Sequence, residues 1–110
     1  MKKILSALFA ALILLVSTPQ ADAAYQYMGT ENGFKYLLDD STISPLSRAK
    51  IEFTICADRG GDVYSERIYL HKVNGRWVYQ GDDGVDRPIT NCNWARCSTM
   101  WLINYGYIDP

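Results

Sequence analysis

The sequence is poor in most of the residues from which catalytic chemistry is built. It has one histidine, three cysteines, four prolines and no excess of either charge, with 11 basic side chains against 12 acidic ones in 110 residues. A formal net charge of −1 supplies no basic field for nucleic acid. A chain this short also has no room for a second, cofactor-binding domain. The lone histidine, His71, reads as a strand residue beside Arg67 and Tyr69, so a Cys/His nucleophile pair has little to rest on. Internal repeats, low-complexity runs and linkers are all missing. What is present is apolar content of 48%, enough to exclude disorder and to point to one small folded unit.

The longest apolar stretch covers residues 4–16, interrupted only by Ser6, directly after Lys2 and Lys3. A helix rises about 1.5 Å per residue and needs about twenty residues to cross a hydrocarbon core of roughly 30 Å, so this run is too short for a membrane span. It matches the apolar centre of a signal-peptide helix, and Ala21-Asp22-Ala23 supplies the small-x-small triplet that places cleavage between Ala23 and Ala24. Residues 1–23 are therefore expected to be a signal peptide and residues 24–110 a single domain, secreted or held in the periplasm or at the cell surface. No cysteine stands at the junction, which argues against lipid anchoring. The expected mature form has no membrane contact, is monomeric, and is mildly acidic.

The remaining chain is punctuated by turn signals. Residues 25–28 and 34–38 flank Glu31-Asn32-Gly33 as a first hairpin. Residues 39–47 read as a polar loop around Pro45. In residues 50–56, Ile51, Phe53 and Ile55 alternate with Glu52 and Thr54, the pattern of a half-buried strand. Residues 63–73 form a second long strand with Ile68 and Leu70 on one face and Arg67, Tyr69 and His71 on the other. Asn74-Gly75 suits a type I′ turn into a strand at Trp77-Val78-Tyr79, and residues 81–87 make an acidic loop closed by Pro88. Ser98 as N-cap and Gly106 just past the end predict a short helix over residues 99–105. The expected fold is mainly β (α+β), an antiparallel meander of four or five strands with a short C-terminal helix.

Three cysteines in an exported protein permit one disulfide. Cys92 and Cys97 are close in sequence and are the favoured pair, closing a ring worth about 2 kcal/mol in the chain-entropy model. A bridge from Cys56 to either is the alternative, and three reduced thiols the third reading. Cys56, Cys92, Cys97 and His71 lack the paired spacing of a zinc site, so no metal is expected. The stretch 81–86 carries three aspartates like part of a calcium loop, but no closing glutamate follows, and a solvated turn is the better reading. Asp39 and Asp40 point to opposite faces of an extended chain and cannot share a substrate, so Asp40 or Ser41 is expected to hold backbone N–H groups instead. Trp94, Trp101 and Tyr105, with Tyr107 beside them, are the candidate binding residues, an aromatic platform for a sugar or peptide that competes with a simple role in the core.

The segments Tyr27-Met28-Gly29-Thr30 and Gly33 to Ile43, with Asp40-Ser41-Thr42-Ile43 as the most specific part, resemble the opening of the surface-adhesin protein E-like family of small exported bacterial domains. Residues 50–55 and 98–105 stand where such domains place a central strand and a closing helix. The family's usual opening Trp is replaced by Tyr25 or Tyr27, and the cysteines follow a different arrangement. The resemblance implies export and a mainly-β fold, and it transfers no functional residue.

No catalytic constellation, cofactor site or metal site emerges from these spacings, so the expected function is that of a binding module rather than an enzyme. Its partner would be a protein, a cell-wall polymer or a host surface ligand. The alternative is an inhibitor of a secreted hydrolase, acting through loop 81–87 or the Cys92–Cys97 loop. Exposed Trp94 and Trp101 on one face favour adhesion or sugar binding, whereas buried tryptophans and a rigid projecting loop favour inhibition.

Overall fold

A computed structural model describes residues 24–110; the signal-peptide expectation for residues 1–23 lies outside the described residues, as does Ala23 at its cleavage point. Six antiparallel strands pair strictly in chain order: β1 (Tyr25–Glu31), β2 (Phe34–Ser47), β3 (Lys50–Arg59), β4 (Asp62–Val73), β5 (Arg76–Gln80) and β6 (Arg87–Pro88). A short 3₁₀ turn (Ile89–Asn91) leads into one helix, α1 (Asn93–Asn104), which closes over the curled half-barrel. The mainly-β meander with a C-terminal helix is thus what the chain forms. The strand total exceeds the expected four or five because the short β6 carries no alternation to reveal it.

Period-two alternation builds the core. Ile51, Phe53 and Ile55 of β3 pair across to Leu70, Ile68 and Glu66 of β4, so one face of both strands turns inward. Against that face pack Trp77 and Tyr79 of β5 and Trp94, Ala95 and Leu102 of α1. Two Asn-Gly pairs set the register of their hairpins. Asn32 and Asn74 both take φ +53°, followed by Gly33 and Gly75 at φ +82° and +78°, the left-handed conformations that a type I′ turn needs.

Two boundaries differ from the sequence reading. Residues 39–47 continue β2 instead of leaving the sheet, through a break in register between Asp39 and Ser44. Asp39 Oδ1 accepts the Ser41 N–H at 3.1 Å, and Thr42 Oγ1 accepts the Thr54 N–H at 2.8 Å, so side chains take over the missing ladder bonds. The helix begins at Asn93, not after Ser98. Its N-cap, Cys92, makes no side-chain cap; instead Glu31 Oε1 of β1 accepts the Asn93 N–H at 3.0 Å. A carboxylate at this end satisfies an orphan donor and suits the positive pole of the helix. The other end matches expectation: Gly106 at φ +80° donates to Ile103 O and Tyr107 donates to Leu102 O, a Schellman closure.

Both ends of the described chain are fastened to the sheet. Asp40 donates its N–H to Ala24 O at 3.0 Å while its Oδ1 accepts the Ala24 N–H at 3.2 Å. At the other end, Ile108 is fully buried, Arg48 pairs with Asp109 at 2.8 Å, and the Asp109 N–H donates to Arg48 O at 3.0 Å. No helix among the described residues is long and apolar enough to cross a membrane.

Candidate functional site

The helix does not cover the whole inner face. Beyond Phe53 the β3 row ends in Ile55 and Ala57, and the methyl of Ala57 leaves a gap between its cross-strand partners Tyr36 and Tyr64. An open cleft of about 310 Å³ results, with Ile55 and Ala57 as its floor and Tyr36, Tyr64 and Trp94 as its walls. Trp94 belongs to the first turn of α1 and is clamped there. Tyr36 stacks on it at 5.9 Å between ring centres, and Tyr79 meets it edge-on at 5.0 Å. Trp94 is only 9% exposed, whereas Tyr64 is 61% exposed and touches the Phe34 ring at 6.2 Å. One wall is therefore rigid and the other free to adjust.

The polar edge of the cleft comes from Glu66 and Asp82, while Ser65 between Tyr64 and Glu66 turns its hydroxyl to Cys56 on the other face of the sheet. Glu66 Oε2 accepts the Asp82 N–H at 2.8 Å, tying the β5–β6 loop to β4. This approach requires glycine at 81, because a Cβ there would lie 2.8 Å from the Glu66 carboxyl carbon. The loop is braced at every other point as well. Arg87 holds both oxygens of Asp83, at 3.0 and 2.5 Å, and Asp86 Oδ1 meets His71 Nε2 and Gln80 Nε2, each at 2.8 Å. The Arg87 fork, helped by the Val85 N–H, lowers the Asp83 carboxyl to about 2. The His71 and Gln80 bonds likewise hold Asp86 below the usual carboxylate range. Among the described residues neither Glu66 nor Asp82 has an ion-pair partner.

Below the cleft, burial pushes the Tyr79 hydroxyl well above its ordinary range, and the bond from Cys92 adds to the effect. The Cys92 thiol donates to Tyr79 Oη at 3.3 Å. Burial, followed by the charge of Glu31, raises Tyr36 in the same direction. Both phenols therefore stay protonated at neutral pH and offer hydroxyl groups rather than charge.

The structure overturns the expected disulfide between Cys92 and Cys97. All three cysteines are free: Cys56 is buried, Cys92 half-buried and Cys97 exposed. Cys97, on the first turns of α1, points to solvent, while Cys92, in the extended residue before the helix, turns inward to Tyr79. Cys56 lies on the opposite face of the sheet, against Ser65 Oγ at 3.6 Å, out of reach of both. Among the described residues no group of three His, Cys, Asp or Glu side chains is placed to hold a metal ion.

The aromatic candidates separate. Trp94 enters the cleft, but Trp101 and Tyr105 stack on each other at 4.4 Å near the far end of α1, with Tyr107 6.1 Å from Trp101. Seven helical residues place Trp101 about 10 Å along the axis from Trp94, so the three rings make no common platform. Asp82 belongs to the acidic stretch 81–86 that the sequence marks as a solvated turn, whereas Tyr36, Tyr64 and Glu66 are not candidates there, yet a signal for two of them exists. Glu66 and Tyr64 share the parity of Ile68 and Leu70, which puts an acid and an aromatic ring on a face that is otherwise core. A larger groove of about 520 Å³ along Trp77, Val78 and Ile89 is apolar and lacks such convergent polar groups. No protein-family model, no curated protein and no solved structure matches this chain.

Proposed function

We propose that the chain is an exported binding module, without catalytic activity of its own, that holds its ligand in the cleft between Trp94 and Tyr64. The observation that carries this reading is the convergence of three aromatic rings, from β2, β4 and α1, on one open volume edged by two carboxylates that have no ion-pair partner among the described residues. Export rests on the N-terminal charge, apolar run and Ala-x-Ala order, and N-terminal sequencing of protein from the producing cell tests it. The resemblance to adhesin domains supports a partner at a host or bacterial surface. A panel of peptides, saccharides and cell-wall polymers, read by the tryptophan signals of the purified protein, tests the cleft. One class should perturb Trp94 and bind about tenfold more weakly to Tyr64→Ala. Equal binding by the variant, or steady turnover of a panel member, overturns the reading.

The second reading, an inhibitor of a secreted hydrolase, is supported by the criterion set out from the sequence, since Trp94 is buried, Trp101 half-buried and the β5–β6 loop rigid. The braced β5–β6 loop presents Val85 at 52% exposure between aspartates, the kind of fixed apolar tip that can plug an enzyme's active site. Inhibition of a secreted hydrolase that survives Tyr64→Ala but is lost in Val85→Asp would select it.

A further inference from the structure

We propose that the cleft takes an alkylammonium group, the end of a lysine side chain on a partner polypeptide; this rests on the binding reading above and names its ligand class. Among the residues that line the cleft there is no Lys, Arg or His. The nearby cations are committed elsewhere: Arg87 grips Asp83, and Arg59 lies over the Phe34 ring at 5.5 Å. Three aromatic rings and two carboxylate residues line the cavity, and aromatic π-systems attract a cation brought within about 6 Å of a ring centre. Glu66 spends one oxygen on the Asp82 N–H and keeps Oε1 without a protein donor among the described residues, and the Asp82 carboxylate accepts no hydrogen bond there either.

The rest of the lining completes the match. Ile55 and Ala57 give an apolar floor for a methylene stem, and about 310 Å³ holds such a stem with its charged end. An anion would meet two carboxylates. A saccharide would find carboxylate acceptors in plenty, but its own oxygens would find side-chain donors only on the tyrosine hydroxyls and the Trp94 indole. A quaternary ammonium would leave the carboxylate oxygens without a hydrogen-bond donor, whereas a primary ammonium carries three. The lysine side chain therefore uses each surface the cleft offers.

The test is a two-dimensional NMR titration of the purified protein with Nα-acetyl-lysine N-methylamide, its Nε-acetylated form, choline and methyl N-acetylglucosaminide. The lysine probe should shift the Trp94 indole resonance, the acetylated form should bind at least about fivefold more weakly, and added salt should weaken the lysine probe alone. Glu66→Gln and Asp82→Asn should each reduce its affinity by about the same factor. Glu66→Gln keeps an oxygen for the Asp82 N–H, so unchanged amide shifts in the β5–β6 loop would show that the fold is intact. Equal binding of the acetylated probe, or stronger binding of choline, overturns the amine assignment. Binding of the saccharide alone overturns it while leaving the cleft as the binding site. Silence from every probe sinks the amine proposal, and the polymer panel then decides separately whether the cleft binds anything.

Discussion

Single side chains in this protein show how tightly polar groups are accounted for, and where the account fails. Ser98 is 1% exposed and its hydroxyl has no hydrogen-bond partner among the described residues, while its neighbour Thr99 satisfies its own by donating to Ala95 O at 2.8 Å. A buried hydroxyl without a partner costs about 1 kcal/mol or more, and alanine is also the better helix former. Ser98→Ala should therefore raise the unfolding free energy by about 1 kcal/mol, measured by urea denaturation. Asp83 offers a different check. Its folded value lies near 2, below the ordinary carboxylate value of 3.8, so its contribution to stability is complete above about pH 4 and disappears as pH falls through 2. Carboxyl NMR titration should find a midpoint near 2 for Asp83 in the native protein and a higher one in Arg87→Ala, still below the ordinary 3.8 because the Val85 N–H bond remains. The thiols give a third check: three free cysteines should react in denatured protein before any reductant is added.

At the level of elements, what could be read from the sequence was what depends on neighbours in the chain. The alternation of Ile51, Phe53 and Ile55 placed a strand and its inner face, each Asn-Gly pair marked a hairpin, and Gly106 marked the end of the helix. The start of α1 was illegible because its cap comes from Glu31, 62 positions away, and Ser98 offered a local decoy. The extension of β2 was hidden for a similar reason. Asp39 and Thr42 resemble turn residues, and only the pairing with Thr54 shows that they hold a bulge inside a strand. The cleft required three cross-strand registers at once, so only Trp94 among its walls drew attention from sequence. If Glu31 is the true cap, Glu31→Ala should cost about 1 kcal/mol and speed amide exchange in the first turn of α1 more than in the last.

The molecule as a whole is a curled half-barrel sheet with one helix, and residues 108–110 are fastened onto it. Ile108 is inserted into the core, and Arg48, Asp109 and Pro110 hold the tail over the β2–β3 turn and β4, Lys72 Nζ donating to Pro110 O. Removing the buried branch by Ile108→Ala should cost about 2 to 4 kcal/mol in thermal or urea unfolding. Arg48→Ala, which breaks an exposed pair, should cost about 1 kcal/mol or less. Comparing the two separates packing from charge in the latch.

The opposite end of the sheet carries a consequence of another kind. On the export reading proposed above, the nitrogen of Ala24 is a peptide amide before cleavage, and the Asp40 carboxylate accepts one hydrogen bond from it at 3.2 Å. A cut before Ala24 turns that nitrogen into an α-ammonium at the same spot, so the processing enzyme would install a cation opposite a carboxylate already waiting for it. Such a cut would then stabilise the product relative to its precursor, and the first strand would be held most firmly only in the cleaved form. Nα-acetylation of a chain beginning at Ala24 should lower its melting temperature, and the difference should vanish in Asp40→Asn.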